Sequence, residues 1–157
     1  MRFFTFSERR CGNVQRLLRG VLIGINSEVK LMEDKKEVLG ISDFQTYLFN
    51  SGDNFRSYEL LGVHRIKDGG REGWRFAVWA PNAQAVKIAC DSNGWTGNGK
   101  ELSKYGKTGI WYGFFTDFSK GDLYKYAITA PDGTVYMRSD PYAFRCEMRP
   151  GTASEVY

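Results

Sequence analysis

From Trp74 to Arg138 the side chains alternate, and this period of two constrains the fold more than any other feature of the chain. Trp74, Phe76 and Val78 alternate with Arg75, Ala77 and Trp79. Val86, Ile88 and Cys90 alternate with Ala85, Lys87 and Ala89. Tyr124, Tyr126 and Ile128 alternate with Leu123, Lys125 and Ala127. Successive side chains of a strand point to opposite faces, so each run predicts a strand with one buried face. Ile110 to Phe115 is a further strand, apolar on both faces. Between these runs stand Pro81-Asn82, Asn93-Gly94, Gly97-Asn98-Gly99, Lys120-Gly121-Asp122 and Pro131-Asp132-Gly133, all turn-forming sequences. Short strands divided by tight turns predict an all-β fold, an Ig-like antiparallel β-sandwich. An aromatic content of 15% and 18 glycines agree with that class.

A short helical segment is expected ahead of the strands. Ser42 and Gln45 stand at capping-box spacing, Phe44, Tyr47 and Leu48 give one apolar face, and Gly52 stops the helix. Tyr58 to Gly62 reads as a second short helical turn or loop. The expected organisation is a basic arm over 1–31, a helical lead-in over 32–70, the β-sandwich over 71–145 and a linker over 146–157. The arm reads either as a disordered extension or as an artefact of the gene model, with translation starting at Met32, where the composition turns polar.

Charge follows the same division. The 157-residue chain carries a net charge of +4. Arg2, Arg9, Arg10, Arg16, Arg19 and Lys30 oppose only Glu8 and Glu28 before Met32, so the whole excess lies in the arm. The remainder is electrically balanced, which gives no support to a nucleic-acid groove. No apolar run approaches the ~20 residues of a membrane-spanning helix. Cys11, Cys90 and Cys146 are scattered and form no CxxC pair. With a single histidine, His64, they suggest neither a metal site nor a disulfide framework. The expected compartment is the cytoplasm, and no cofactor is expected.

No catalytic constellation is visible: there is no GxSxG, no phosphate-cradling glycine loop and no Cys/His pair. What stands out is aromatic side chains beside polar loop residues. A sugar ring has an apolar face of C–H bonds and a rim of hydroxyls. An aromatic ring stacks on the face while amides and amines bind the rim. Asn93-Gly94-Trp95 puts an indole on a loop, where it either stacks on a ligand or covers one end of the sandwich. Lys125 points off the core face and is either a ligand contact or a plain solvated lysine. Trp74 and Trp111 lie in strands and are expected in the core.

At these residues the sequence resembles a known family. Phe76-Ala77-Val78-Trp79-Ala80-Pro81-Asn82-Ala83, Asn93-Gly94-Trp95, Gly121-Asp122-Leu123-Tyr124-Lys125-Tyr126 and Pro131-Asp132-Gly133 look like the family 48 carbohydrate-binding module. That module is an Ig-like sandwich found before the catalytic barrel of glycoside hydrolase family 13 enzymes. Tyr58-Glu59-Leu60-Leu61-Gly62-Val63-His64, Asp140-Pro141-Tyr142-Ala143-Phe144 and Arg149-Pro150-Gly151-Thr152-Ala153-Ser154 narrow the resemblance to the glycogen-branching enzymes of that family. It covers about Ile41 to Tyr157.

The resemblance implies binding of α-1,4-glucan or glycogen through Trp95, Lys125 and Asn93. It also implies an intramolecular partner, a catalytic (β/α)₈ barrel of ~250 residues. The retaining double displacement of that family belongs to the barrel. No catalytic residue transfers to this chain, which is expected to be inactive alone and truncated before the barrel. Two departures stand against the pattern. Val135 occupies the place of a second tryptophan after the Asp-Gly turn, and Ser154 that of an asparagine. They favour an alternative, a non-binding domain that packs on a neighbour, whereas Trp95 and Lys125 favour binding. The same module from a debranching or trehalose-forming enzyme is the remaining alternative.

Overall fold

The computed structural model describes residues 37–157, so the expectations for the arm and for a start at Met32 lie outside the described residues. The lead-in comes first. Val38 and Ile41 form a β-bridge, and helix α1 (Asp43–Ser51) follows. Ser42 accepts the Gln45 N–H as N-cap, and Gly52 closes the other end in the left-handed conformation. One turn of helix, α2 (Ser57–Leu60), leads into the strands.

Among the described residues, nine strands build two antiparallel sheets: β1 (Gly62–Asp68), β2 (Arg71–Trp79), β3 (Ala85–Cys90), β4 (Ser103–Lys104), β5 (Ile110–Phe115), β6 (Leu123–Thr129), β7 (Val135–Arg138), β8 (Arg145–Cys146) and β9 (Ser154–Glu155). The first sheet has the order β1-β2-β5-β4 and the second β3-β6-β9-β8, with β7 also paired to β6. The all-β sandwich expected from the alternation is the observed fold.

The main core lies between the sheets. Phe76 of β2 meets Tyr124 of β6 edge-to-face at 5.1 Å and Phe118 at 4.7 Å. Complete burial of a side chain such as Phe76 contributes about 1.5–3 kcal/mol. Trp74 and Trp111 are core residues, as expected, and their indole N–H groups donate to the carbonyls of Phe118 and Ala80. A second core lies on the outer face of the first sheet. There Ile41, Leu60 and Leu61 of the lead-in pack on Ala77 and Ile110. The lead-in therefore covers the opposite face of β2, and Arg75 and Ala77 are buried along with Trp74 and Phe76.

The structure departs from the sequence expectations in three places. Strand β1 begins at Gly62, ahead of the expected start of the sandwich at 71, and pairs along its length with β2. It turns through Gly69 and Gly70, both at positive φ (53° and 83°), the conformation a two-residue hairpin turn needs. Residues 146–157, expected as a linker, include β9, which pairs with β6, while Val156 is fully buried. Finally, α1 turns Phe44 and Tyr47 to solvent (49% and 65% exposed) and buries Thr46. The helix is held in that rotation by Tyr105, whose hydroxyl donates to Asp43 Oδ1 at 2.8 Å, and by Phe49 against the Trp79 ring.

Candidate functional site

The site forms where β3 hands over to a short 3₁₀ turn, Asp91–Asn93. Asn93 organises this loop. Its Oδ1 accepts the Cys90 N–H at 3.0 Å, and its Nδ2 donates to the carbonyls of Ile88 at 2.8 Å and Asn98 at 3.4 Å. Gly94 and Trp95 follow, both in the left-handed region at φ 59° and 60°. For a residue as bulky as tryptophan this conformation costs about 1–2 kcal/mol. Trp95 is kept there by its own N–H, which donates to the Cys90 carbonyl at 2.9 Å.

The indole is held at its far end as well. Trp95 Nε1 donates to Asp91 Oδ1 at 2.7 Å. The ring is neither buried nor fully exposed, so part of its surface faces solvent. The loop beyond it lies flush on the second sheet: a Cβ at Gly97 would sit 2.9 Å from Lys87 Cβ, and glycine alone permits the approach.

Lys125 projects from the outer face of β6, between Tyr124 and Tyr126, which are buried on the inner face. Its Nζ lies 5.9 Å from the centre of the Trp95 ring and donates to Thr152 Oγ1 at 2.7 Å. The Thr152 carbonyl in turn accepts the Ser139 hydroxyl. The structure thus brings Trp95 and Lys125 together, places Asn93 beneath them as the support of the loop, and adds Asp91 and Thr152. Sequence reasoning missed both additions. Thr152 carried one signal, its place in the Arg149 to Ser154 flank.

The two departures from the family pattern occupy different environments. Val135 is 57% exposed on β7, paired to Thr129, two residues beyond Ala127 along β6. Ser154 is fully buried, where its Oγ accepts the Asp140 N–H at 2.8 Å. Behind the site, the Asp140 carboxylate accepts the hydroxyls of Tyr124 at 2.7 Å and Tyr126 at 3.2 Å and the N–H of Tyr142 at 2.8 Å. Burial pushes the Asp140 carboxyl above the usual carboxylate range, and these hydrogen bonds partly offset the shift. Burial and the adjacent carboxylate push both tyrosines above the usual phenol value. This network fixes the inner face of β6, from which Lys125 projects outward.

Among the described residues, no cluster of three or more His, Cys, Asp or Glu side chains is arranged to hold a metal. No described helix is long and apolar enough to cross a membrane.

Comparison with known proteins adds the family. Residues 60–143 match carbohydrate-binding module 48, the isoamylase N-terminal domain. The chain is 47% identical over 119 residues to the 1,4-alpha-glucan branching enzyme GlgB of Geobacillus stearothermophilus, covering 76% of this chain and 19% of that enzyme. It is 45% identical over 116 residues to GlgB of Halothermothrix orenii, covering 74% of this chain and 18% of the relative. The chain thus spans less than a fifth of the length of these curated relatives. Among solved structures, the maltotriose complex of PulA from Klebsiella pneumoniae aligns with a TM-score of 0.50 and 26% identity, over 61% of this chain and 10% of PulA. The match spans more than half of the chain, from Leu60 at the end of the lead-in to Ala143 beyond β7, and takes in the loop that carries Trp95. The chain belongs to the carbohydrate-binding module 48 family.

Proposed function

We propose that the chain is the α-glucan-binding module of a 1,4-α-glucan branching enzyme, with glycogen or a growing α-1,4-glucan as its ligand. The observation that carries this reading is the Trp95 indole, part-exposed and held by strained backbone, with Lys125 Nζ 5.9 Å from its ring centre and bonded to Thr152. The exposed part of the ring accepts the C–H face of a glucose unit, and Lys125 and Thr152 bind its hydroxyl rim. Asn93 serves the site from below, because its amide is already bonded to the backbone of its own loop. The balanced charge after Met32 suits a neutral polysaccharide. The role of the module is to hold glucan for branching chemistry performed by a catalytic barrel.

The folded unit we assign to this task includes the lead-in, because Ile41, Leu60 and Leu61 are fully buried against the first sheet. A second reading has one specific observation in its favour. Val135, in the place of a second stacking ring, leaves one aromatic surface where the resembled pattern has two. Under that reading the domain packs on a neighbour and binds no sugar.

Calorimetric titration of the chain with maltoheptaose and with glycogen, beside Trp95→Ala, separates the two. Binding by the wild type that is lost in the variant is expected. An absence of heat at millimolar sugar, or equal binding by the variant, overturns the glucan-binding reading.

A further inference from the structure

We infer that Asp91 is the positioning residue of the stacking platform, the group that locks the Trp95 indole in the orientation a glucan ring requires. The inference rests on the glucan-binding reading of Trp95. The backbone fixes only where the side chain of Trp95 starts. Its left-handed φ of 60° and its N–H bond to Cys90 set the direction of the Cα–Cβ bond, but two further rotations decide where the ring faces. The second anchor is the bond from Nε1 to Asp91 Oδ1 at 2.7 Å. It is charge-assisted and short, in the strong class of hydrogen bonds. Held at the backbone and at Nε1, the ring cannot turn about either bond without giving up one anchor.

Asp91 opens the 3₁₀ turn that ends two residues before Trp95, so platform and clamp belong to one short loop. Two consequences follow for the ligand. The indole N–H is occupied, so Trp95 offers a sugar its ring surface and no donor, and hydroxyl recognition falls to Lys125 and Thr152. The 5.9 Å between Lys125 Nζ and the ring centre is maintained only while the ring is clamped. A glucose unit stacked on the ring then meets the amine at a fixed offset. Binding to a clamped ring avoids the loss of freedom that a mobile side chain suffers at the moment of contact.

The test compares Asp91→Ala and Asp91→Asn, titrated with maltoheptaose by calorimetry, with the Trp95 indole N–H followed by proton–nitrogen correlation spectra. Trp95→Phe, which keeps a ring and removes the N–H, assigns that resonance among the four tryptophans. Asn retains the acceptor Oδ1 and removes the charge, so it should bind within about twofold of wild type and keep the resonance in place. Ala should weaken binding about three- to tenfold, the freedom of one large side chain, and shift the resonance, with an unchanged thermal midpoint. The positioning role is overturned if Asp91→Ala matches wild type in affinity while Trp95→Phe or Trp95→Ala does not. It is equally overturned if the Trp95 indole resonance stays in place in Asp91→Ala, because the bond would then not set the ring. A wild type that fails to bind maltoheptaose overturns the glucan reading itself, and this inference with it.

Discussion

Lys125 donates from Nζ to Thr152 Oγ1 at 2.7 Å, joining β6 to a segment 27 residues further along the chain, with the same Nζ 5.9 Å from the centre of the Trp95 ring. The bond holds an amine and a hydroxyl together beside the Trp95 ring, and the proposed function assigns both to the rim of a sugar. Lys125→Met keeps the aliphatic stem and removes the charge. It is expected to weaken maltoheptaose binding about tenfold, the scale of one charge-assisted hydrogen bond. The thermal midpoint should stay within error of wild type, because the amine is at the surface. Calorimetry beside a melting curve checks both, and unaltered affinity would remove Lys125 from the site.

Trp95 should show a conflict between stability and binding. Its left-handed backbone suits glycine and strains every other residue but a few. Trp95→Gly and Trp95→Ala both delete the ring, and both should abolish binding. The glycine variant should nevertheless be the more stable of the two by about 1 kcal/mol, because only alanine retains the strain. Urea denaturation of the pair measures the difference. Equal stability would show that the turn relaxes once the ring is gone.

The sandwich was legible where burial is one-sided and the run is long. Tyr124 and Tyr126 alternate with Leu123 and Lys125 on a strand of seven, and that pattern gives strand and face together. Strand β1 was not legible, because it is an edge strand whose outer residues, Arg65 to Asp68, are mostly exposed and carry no apolar alternation. The two-residue β8 and β9 are shorter than one period. At the candidate site, loop position put Trp95 outside the core and strand phase put Lys125 on the outer face of β6, and both placements are observed. The contacts of Asp91 with Trp95 and of Thr152 with Lys125 could not be read, because a left-handed turn and a distant segment bring those side chains into place. The packing of α1 was misread for a similar reason: Phe44 and Tyr47 form an apolar stripe, but the Tyr105–Asp43 bond sets which face looks inward.

Arg75 should prove to be the fastening between lead-in and sandwich. The guanidinium is buried, donates to the Glu59 carbonyl at 2.8 Å and to that of Leu39 at 3.4 Å, and leaves Nε without a partner. Burial pushes it down to about 10, the mark of a cation held by carbonyl dipoles in a poorly solvated place. Arg75→Ala leaves both carbonyls without that partner and is expected to cost about 2–3 kcal/mol in urea denaturation. A polypeptide beginning at Leu60, where the family match starts, lacks both carbonyls and Ile41. It should be less stable still. A fully stable 60–157 fragment would make the lead-in an independent appendage.

Stability should fall in alkali. Burial, with neighbouring carboxylates, holds the hydroxyls of Tyr105, Tyr124 and Tyr126 above their ordinary value. The native state therefore keeps protons that the unfolded chain releases near pH ~10. In that window the native state binds more protons, so unfolding becomes easier as pH rises, and the stabilising contribution is complete below it. Arg75 acts in the opposite sense, because its lowered value lets the native state lose a proton first. Three phenols outweigh one guanidinium. The urea midpoint should decline steeply above about pH 10, and phenolate absorbance should show a late, cooperative step as these tyrosines ionise on unfolding. A midpoint that stays flat while every tyrosine titrates as in a free peptide would show that the hydroxyls against Asp140 and Asp43 are open to solvent.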